Sequence, residues 1–187
     1  MDHYVDLTLL PDPEIAQAHL MGALFSKLHL ALVARRSQHI GVSFPAVQSS
    51  PVWLGDCLRL HGDQSILAEL MNLNWLAGVR DHVRATAVLA VPSNASFRIV
   101  SRAQAKSNPE RLRRRQMRRH GLSADEALTQ VPDTSAERLS LPYVQLSSQS
   151  TKQSFRLFIR HGALLETATM GTFGSYGLSA TATIPWF

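Results

Sequence analysis

An α+β fold in two parts is what this sequence predicts, and three observations carry the expectation. Strand-like and helix-like segments alternate in the order β-α-β-β-α-β over residues 1–94. Pro92-Ser93-Asn94-Ala95-Ser96 then interrupts the pattern as a linker, and the composition beyond it turns basic and afterwards rich in Ser and Thr. Positive charge is gathered in one segment, Ser101 to Gly121, rather than spread along the chain. With 187 residues, 45% of them hydrophobic, the chain can bury one good core or two small ones.

The elements follow in order. His3 to Leu10 alternates apolar and polar residues, with Val5, Leu7 and Leu9 on one face of a half-buried strand. Asp12 as N-cap and Pro13 at the first helical position predict a helix to about Arg36, burying Leu20, Leu24, Leu28 and Ala31, with Gly22 weakening its middle. Ile40 to Phe44 reads as a short strand, and Trp53 to His61 as another that alternates Leu58 and Leu60 with Arg59 and His61. Asp63 caps a second helix through about Leu73, and Val83 to Val91 is the next strand. That order is the split βαβ plait, so residues 1–94 are expected to form a ferredoxin-like domain. Its four-stranded sheet would be backed by two helices and would leave one face free for a ligand.

Residues 95–187 are expected to form a smaller α+β domain. Phe97–Val100, Val144–Leu146, Phe155–Ile159 and Gly177–Trp186 have strand character, and Ser123–Val131 is a capped helix stopped by Pro132-Asp133. Before them lies the basic segment, read as a helix over 108–120. Ser107-Asn108-Pro109-Glu110 combines a Ser-x-x-Glu box with an Asn-Pro start, and Gly121 suits a left-handed C-cap.

The net charge of +5 and the pI near 10.0 come from this helix and its approach. The segment holds eight of the nineteen Lys and Arg residues against Glu110 alone, so the remainder is slightly acidic. At 100° per residue, Arg111, Arg114, Arg115, Arg118 and Arg119 share an arc of roughly 140°, while Arg113 points largely away. Five guanidinium groups on one face repel one another unless an anion lies among them. Arginine suits bidentate contacts to phosphate and guanine, which favours a nucleic acid over an acidic protein or a merely solvated face.

Other classes find little support. Cys57 is the single cysteine, so an internal disulfide and a thiolate-only metal site are excluded; among apolar neighbours it reads as a buried structural thiol. The chain starts on a strand-like run without a signal peptide, and no apolar stretch approaches the ~18 residues of a membrane span, so a cytoplasmic protein without membrane contact is expected. P-loop, GxGxxG, HExxH and CxxC motifs are all missing, and the histidines do not pair with carboxylates at metal-ligand spacing. No metal or other cofactor is expected.

Cleavage of RNA without a metal is chemically open, because the 2′-hydroxyl beside each phosphodiester is a built-in nucleophile. A histidine titrating near neutrality is the usual group to move its proton. His29 flanks the buried stripe of the first helix, but spacing alone does not single it out. Gln145 to Ser154 concentrates hydroxyl and amide groups suited to phosphates and 2′-hydroxyls, or to an ordinary polar turn. Phe155 beside it is either a base-stacking platform or a core aromatic. Gly171, Gly174 and Gly177 space a loop that carries Tyr176.

These stretches together resemble the CRISPR precursor-RNA endoribonuclease of the type I-F subtype. The likeness is most specific in VSRAQAKSNPERLRRRQMRRHGLS, in SSQSTKQSFRLFIRHG, in DHYVDL, PDPE and LFSKLH near the start, and in YGLS and IPWF near the end. The resemblance implies an enzyme that cuts each repeat of a CRISPR transcript at the base of a hairpin without metal, leaving a 2′,3′-cyclic phosphate. It further implies a protein that stays bound to the guide RNA as a monomer and enters the type I-F interference complex. By position, His29 matches the family's catalytic histidine, acting as acid or base. Ser148 matches the serine that pins the ribose, a register shared closely with Ser147 and Ser150, and Tyr176 the tyrosine that orients the histidine. Arg102 and Gln104 resemble the pair that reads the last stem base pairs, and Phe155 the aromatic stacked beneath them. Arg114, Arg115, Arg118, Arg119 and His120 resemble the contacts to stem phosphates and loop, with Ser150 a further RNA contact. A non-catalytic hairpin-binding subunit of a ribonucleoprotein is the alternative. Because the major groove of A-form RNA is deep and narrow except near an end, a short hairpin should be preferred over a long duplex.

Overall fold

Strand β1, His3–Leu9, is the middle of the larger sheet, and its alternation is realised: Val5, Leu7 and Leu9 are buried. The structure is a computed structural model, in which residues 1–104, 109–132, 139–148 and 153–187 are described. Its class is α+β, and the chain forms two compact units, Met1–Arg102 with Leu141–Phe187, and Ala103–Ser140. No helix among the described residues is long and apolar enough to cross a membrane.

In the first unit, helix α1 spans Gln17–Arg35 and begins later than the sequence suggests. The Asp12 carboxylate accepts from the backbone N–H of Glu14 at 2.8 Å and of Ile15 at 2.9 Å. It thereby closes a turn of its own, and Ala16 becomes the N-cap. At the other end Arg36 adopts φ 51°, and the N–H groups of Arg36 and Ser37 return to Val33 and Leu32, a left-handed cap. Helix α2, Gln64–Met71, follows Asp63, whose carboxylate pairs with the Met1 ammonium at 2.9 Å instead of capping the helix.

Strands β2 (Gly41–Ser43), β5 (Cys57–Gly62) and β6 (Val83–Ala85) complete the sheet in the order β2-β5-β1-β6, with every pairing antiparallel. Two expected strands, Trp53 to His61 and Val83 to Val91, are each divided in two. The run from Trp53 divides at Gly55, so that Val52–Trp53 (β4) forms a hairpin with Gln48–Ser49 (β3). Gly55 has φ 85°, and a Cβ there would lie 2.3 Å from the carbonyl oxygen of Ala46. Leu89–Ala90 (β7) pairs separately with β1.

The second sheet is β11-β8-β10-β9, built from Thr183–Trp186 (β11), Ser96–Ala103 (β8), Ser154–Leu165 (β10) and Tyr143–Ser147 (β9). It corrects one expectation: the outer face of the first sheet is not free for a ligand. All six residues of β5 are buried, including Arg59 and His61, which alternation placed outside. A Cβ on Gly41 would meet Ile184 of β11 at 2.6 Å and Phe173 at 2.9 Å, which is how closely the second sheet and its loop cover that face. Arg59 binds Asp6 through two hydrogen bonds, 2.6 and 2.9 Å, and lies over the rings of Tyr4 and Phe187. The hydroxyl of Ser43 pairs with His61 Nε2 at 2.8 Å. Burial, with Arg59 beside it, pushes His61 down to about 3. Burial likewise pushes His161 down to about 4 and raises the Cys57 thiol to about 11. Cys57 is the buried thiol its neighbours suggested. A single apolar core of this unit joins Leu7, Leu24, Leu58 and Leu67 to Leu146, Leu157, Phe173 and Ile184.

The second unit holds the basic helix α3, Pro109–His120, and helix α4, Ala124–Gln130. Its expected start at Ser107-Asn108 lies outside the described residues. Gly121 takes φ 65° and donates to Met117 O at 2.9 Å, ending α3 as a left-handed cap. Ser123 and Glu126 form a reciprocal capping box on α4, which holds the Glu126 carboxyl below its ordinary range.

Candidate active site

The first unit contains a cavity of about 380 Å³ between α1 and β9, lined by Ser26, His29, Leu30, Leu146, Ser147, Ser148, Phe155 and Tyr176. The two elements meet because of Gly22. A Cβ there would lie 2.6 Å from the carbonyl oxygen of Gln145, so only glycine lets α1 lie directly against strand β9. β9 is an edge strand, and α1 covers its open side. Gly22, which reads from sequence as a weak point in the helix, is the contact that sets the seam.

His29 lies two turns beyond Gly22, half-buried beside the core residue Leu28. Its Nδ1 is 2.9 Å from the carbonyl oxygen of Ser175. A carbonyl only accepts, so the proton of the neutral ring sits on Nδ1 and Nε2 keeps its lone pair. The Tyr176 ring stacks on the imidazole with centroids 4.0 Å apart and planes 11° from parallel. The same phenol ring runs parallel to Phe25 at 6.0 Å. Phe25 and His29 are four residues apart, so one face of α1 offers two flat side chains to one tyrosine.

A tight loop holds Ser175 and Tyr176 in place. Gly177 N–H donates to Gly174 O at 2.8 Å and Gly174 N–H to Leu178 O at 2.9 Å, while Gly177 O accepts from Val42 in β2 at 2.9 Å. Gly177 has φ 68°, and a Cβ there would meet Val42 at 2.5 Å. The carbonyl and the ring that seat His29 are thus anchored to the larger sheet.

Opposite the histidine, Ser148 N–H donates to Gln153 O at 2.9 Å. Phe155 of β10 pairs in register with Leu146, half-buried against the core with one side on the cavity. His29, Ser148, Tyr176 and Phe155 therefore come together in one place, and Ser147 lies with them. Ser150 lies outside the described residues. Arg102 is exposed near the end of β8, and Gln104 is exposed just beyond it.

The cavity also uses groups that the sequence alone did not single out. Ser26 is three residues before His29, one helical turn, so helical spacing could have indicated it. Ser175 acts through its main-chain carbonyl, for which no residue type is a signal. Among the described residues, no group of three or more His, Cys, Asp or Glu side chains gathers where a metal ion could be held.

In the second unit, Arg111, Arg114, Arg115, Arg118, Arg119 and His120 are exposed on α3. Arg114 pairs with Glu110 at 2.7 Å across one turn, with both side chains exposed. Arg113 differs: it is half-buried and its Nε donates to the carbonyl of Val131 at 2.7 Å, fastening α3 to the end of α4. Exposed guanidinium groups along one helix form a strip suited to phosphates.

The family model described as CRISPR-associated protein (Cas_Csy4) matches residues 4–187. The chain is 54% identical over 187 residues to the CRISPR-associated endonuclease Cas6/Csy4 of Pseudomonas aeruginosa (strain UCBPP-PA14), covering all of both chains. It is 46% identical, again over the whole of both chains, to the CRISPR-associated endonuclease Cas6/Csy4 of Escherichia coli (strain UTI89 / UPEC).

Proposed function

We propose, for a chain that belongs to the Cas_Csy4 family of CRISPR-associated proteins, that it is a CRISPR RNA-processing endonuclease that cuts the repeat hairpin at the base of its stem without a metal ion. The observation that carries this reading is the seating of His29: Nδ1 on the Ser175 carbonyl, ring on Tyr176, in one cavity with Ser148. In the proposed reaction the 2′-hydroxyl beside the scissile phosphate loses its proton and attacks phosphorus. The bond to the 5′-oxygen breaks, that oxygen gains a proton, and a 2′,3′-cyclic phosphate remains. His29 Nε2 takes the first proton when the ring is neutral or gives the second when it is charged. The Ser148 hydroxyl holds the ribose so that the 2′-oxygen and phosphorus are in line, and Tyr176 fixes the imidazole plane.

Phe155 stacks beneath the terminal base pair, and Arg102 and Gln104 read the pairs above it. Arg114, Arg115, Arg118, Arg119 and His120 bind stem phosphates and loop, supplying affinity rather than chemistry. Ser150 adds a contact near the cut. In this reading residues 1–94 form a ferredoxin-like domain that carries the histidine, supported by the all-antiparallel order β2-β5-β1-β6. Residues 95–187 supply most of the RNA contacts. The protein remains on its product as a monomer and joins the type I-F interference complex in the cytoplasm.

The decisive experiment incubates the protein with its repeat hairpin in EDTA, beside the His29→Ala variant. The wild type should cut, and the variant should bind with near wild-type Kd but leave the RNA intact. Intact RNA with wild-type protein in EDTA would refute metal-free cleavage, and RNA left intact with Mg²⁺ present as well would leave only a hairpin-binding subunit.

A further inference from the structure

A second cavity, of about 230 Å³, opens along the same helix–strand seam on the other side of the Gly22 contact. Ala18 and His19 of α1, Val52 and Trp53 of the β3–β4 hairpin, and Tyr143 and Gln145 of β9 line it. Ala18 and His19 precede Gly22 in the helix and Tyr143 precedes Gln145 in the strand, whereas the His29 cavity uses residues that follow both. At about 1.5 Å per helical residue, His19 and His29 stand roughly 15 Å apart along α1. The two cavities are neighbours along one track.

The second cavity has the composition of a base-binding site. Tyr143 is 40% exposed although it sits in a strand, so its ring is presented rather than buried. Its plane is fixed from behind. Arg156 lies 4.7 Å from the ring centroid, and Phe158 meets it edge-on at 5.5 Å. Trp53 supplies a second large ring, partly exposed on β4 where that strand pairs with Gln48 at the open end of the hairpin. Gln145 is oriented by a hydrogen bond from its amide to the Ser154 hydroxyl. With His19 it offers polar edges beside two aromatic faces. Proteins recognise unpaired RNA bases by this combination, aromatic faces for stacking and amide or imidazole groups at the base edge. None of these side chains has a part in the cleavage chemistry proposed for His29.

We propose that this cavity binds an unpaired nucleobase of the RNA strand flanking the hairpin, stacked on Trp53 and Tyr143. The inference rests on the endonuclease reading, since the track leads to the His29 cavity. It gives the protein a means to sense single-stranded RNA next to the stem in addition to the stem itself. A transcript with unpaired flanks is thereby distinguished from an isolated hairpin of the same sequence.

The test measures Kd by fluorescence anisotropy for hairpins carrying a 2′-deoxy nucleotide at the cut site, which blocks cleavage. One hairpin ends at the stem, a second continues for three unpaired nucleotides on the 3′ side, and a third for three on the 5′ side. One extended hairpin should bind more tightly than the bare stem, and the side that does so identifies the strand. Base–aromatic stacking corresponds to about 5- to 150-fold in Kd for one base. Trp53→Ala and Tyr143→Ala should each remove most of that gain and leave the bare-hairpin Kd within about twofold. An abasic nucleotide at each flanking position in turn should abolish the gain at one position with the protein unaltered. Equal affinity for all three hairpins overturns the proposal, as does a gain that survives both substitutions and every abasic position. Failure of the wild type to bind the bare hairpin, or to cut an all-ribose hairpin extended on both sides, would instead overturn the endonuclease reading.

Discussion

Replacing Gly22 by Ala probes the seam most directly. In isolation the change favours the helix, by about 0.8–1.0 kcal/mol, because alanine is the better helix former. In this structure the new methyl would stand 2.6 Å from the Gln145 carbonyl oxygen, about 0.8 Å short of ordinary van der Waals contact. The obstacle is main chain, which has no rotamer to change, so α1 and β9 must separate. Overpacking of this kind costs about 1–3 kcal/mol. The two effects largely offset one another, and the net loss of stability is about 2 kcal/mol at most.

Catalysis should respond far more strongly. His29 rides on α1 and Ser148 follows β9, so a separation of nearly 1 Å falls directly between the proposed proton-transfer group and the proposed ribose contact. Misplacement on that scale costs about 10²-fold in rate. Single-turnover cleavage of the repeat hairpin is the assay, with Kd and melting temperature measured in parallel. The expectation is a loss of about 10- to 100-fold in rate with hairpin affinity within a few-fold of wild type. Gly121→Ala is the control: its φ of 65° strains any other residue, yet no atom lies within 4 Å of the added Cβ, so stability falls without a change in cleavage rate by the bound enzyme. Wild-type cleavage by Gly22→Ala with an unshifted melting temperature would refute the claim that this seam sets the reacting geometry.

Other outcomes follow from the same structure. Tyr176→Phe keeps the stack on His29 and should cleave within a few-fold of wild type, whereas Tyr176→Ala removes it and should be severely slowed; equal rates for the two would remove the stack from the mechanism. Arg115→Ala or Arg119→Ala should weaken RNA binding and reduce the salt slope by roughly one unit for each phosphate that is no longer neutralised. Arg113→Ala should instead lower stability by about 0.5–1.5 kcal/mol, because the part-buried hydrogen bond to the Val131 carbonyl is lost, and the effect is visible as a lower melting temperature in buffer without RNA. His61 and His161 are held at about 3 and about 4, below the usual 6.5. Above pH 6.5 they are neutral in both states; as pH falls through 6.5 the unfolded chain takes up protons that the folded chain refuses. Stability should therefore decline by up to about 1.4 kcal/mol per pH unit for each histidine. His61→Gln should lessen that decline by one proton equivalent, and denaturant melts at several pH values would detect an unchanged slope.

Local structure was legible where one short segment decides it. The alternation in β1, the stripe of α1, the Gly121 cap and the Ser123–Glu126 box all depend on neighbours within a few residues, and the basic arc of α3 follows from helical spacing alone. What distant segments decide was not legible. Asp12 and Asp63 are ordinary caps by sequence, yet one closes a turn and the other meets the Met1 ammonium. Arg59 and His61 alternate as outward residues should, and become buried only because the second sheet covers them. Likewise His29 is an ordinary half-buried helical histidine until a loop some 146 residues later brings a carbonyl to its ring. Spacing could not choose it among the histidines; the family resemblance did.

That distance along the chain has a consequence for biosynthesis. The wall formed by α1 emerges early from the ribosome, β9 much later, and the Gly174–Leu178 loop near the close. A nascent chain that has made α1 alone holds the imidazole but has neither the carbonyl nor the ring that seats it, and it lacks the strand opposite. The cavity is thus a late product of folding, assembled only when the last strands dock. A chain that stops before that loop therefore presents the histidine without the carbonyl, the ring and the opposing strand that complete the cavity.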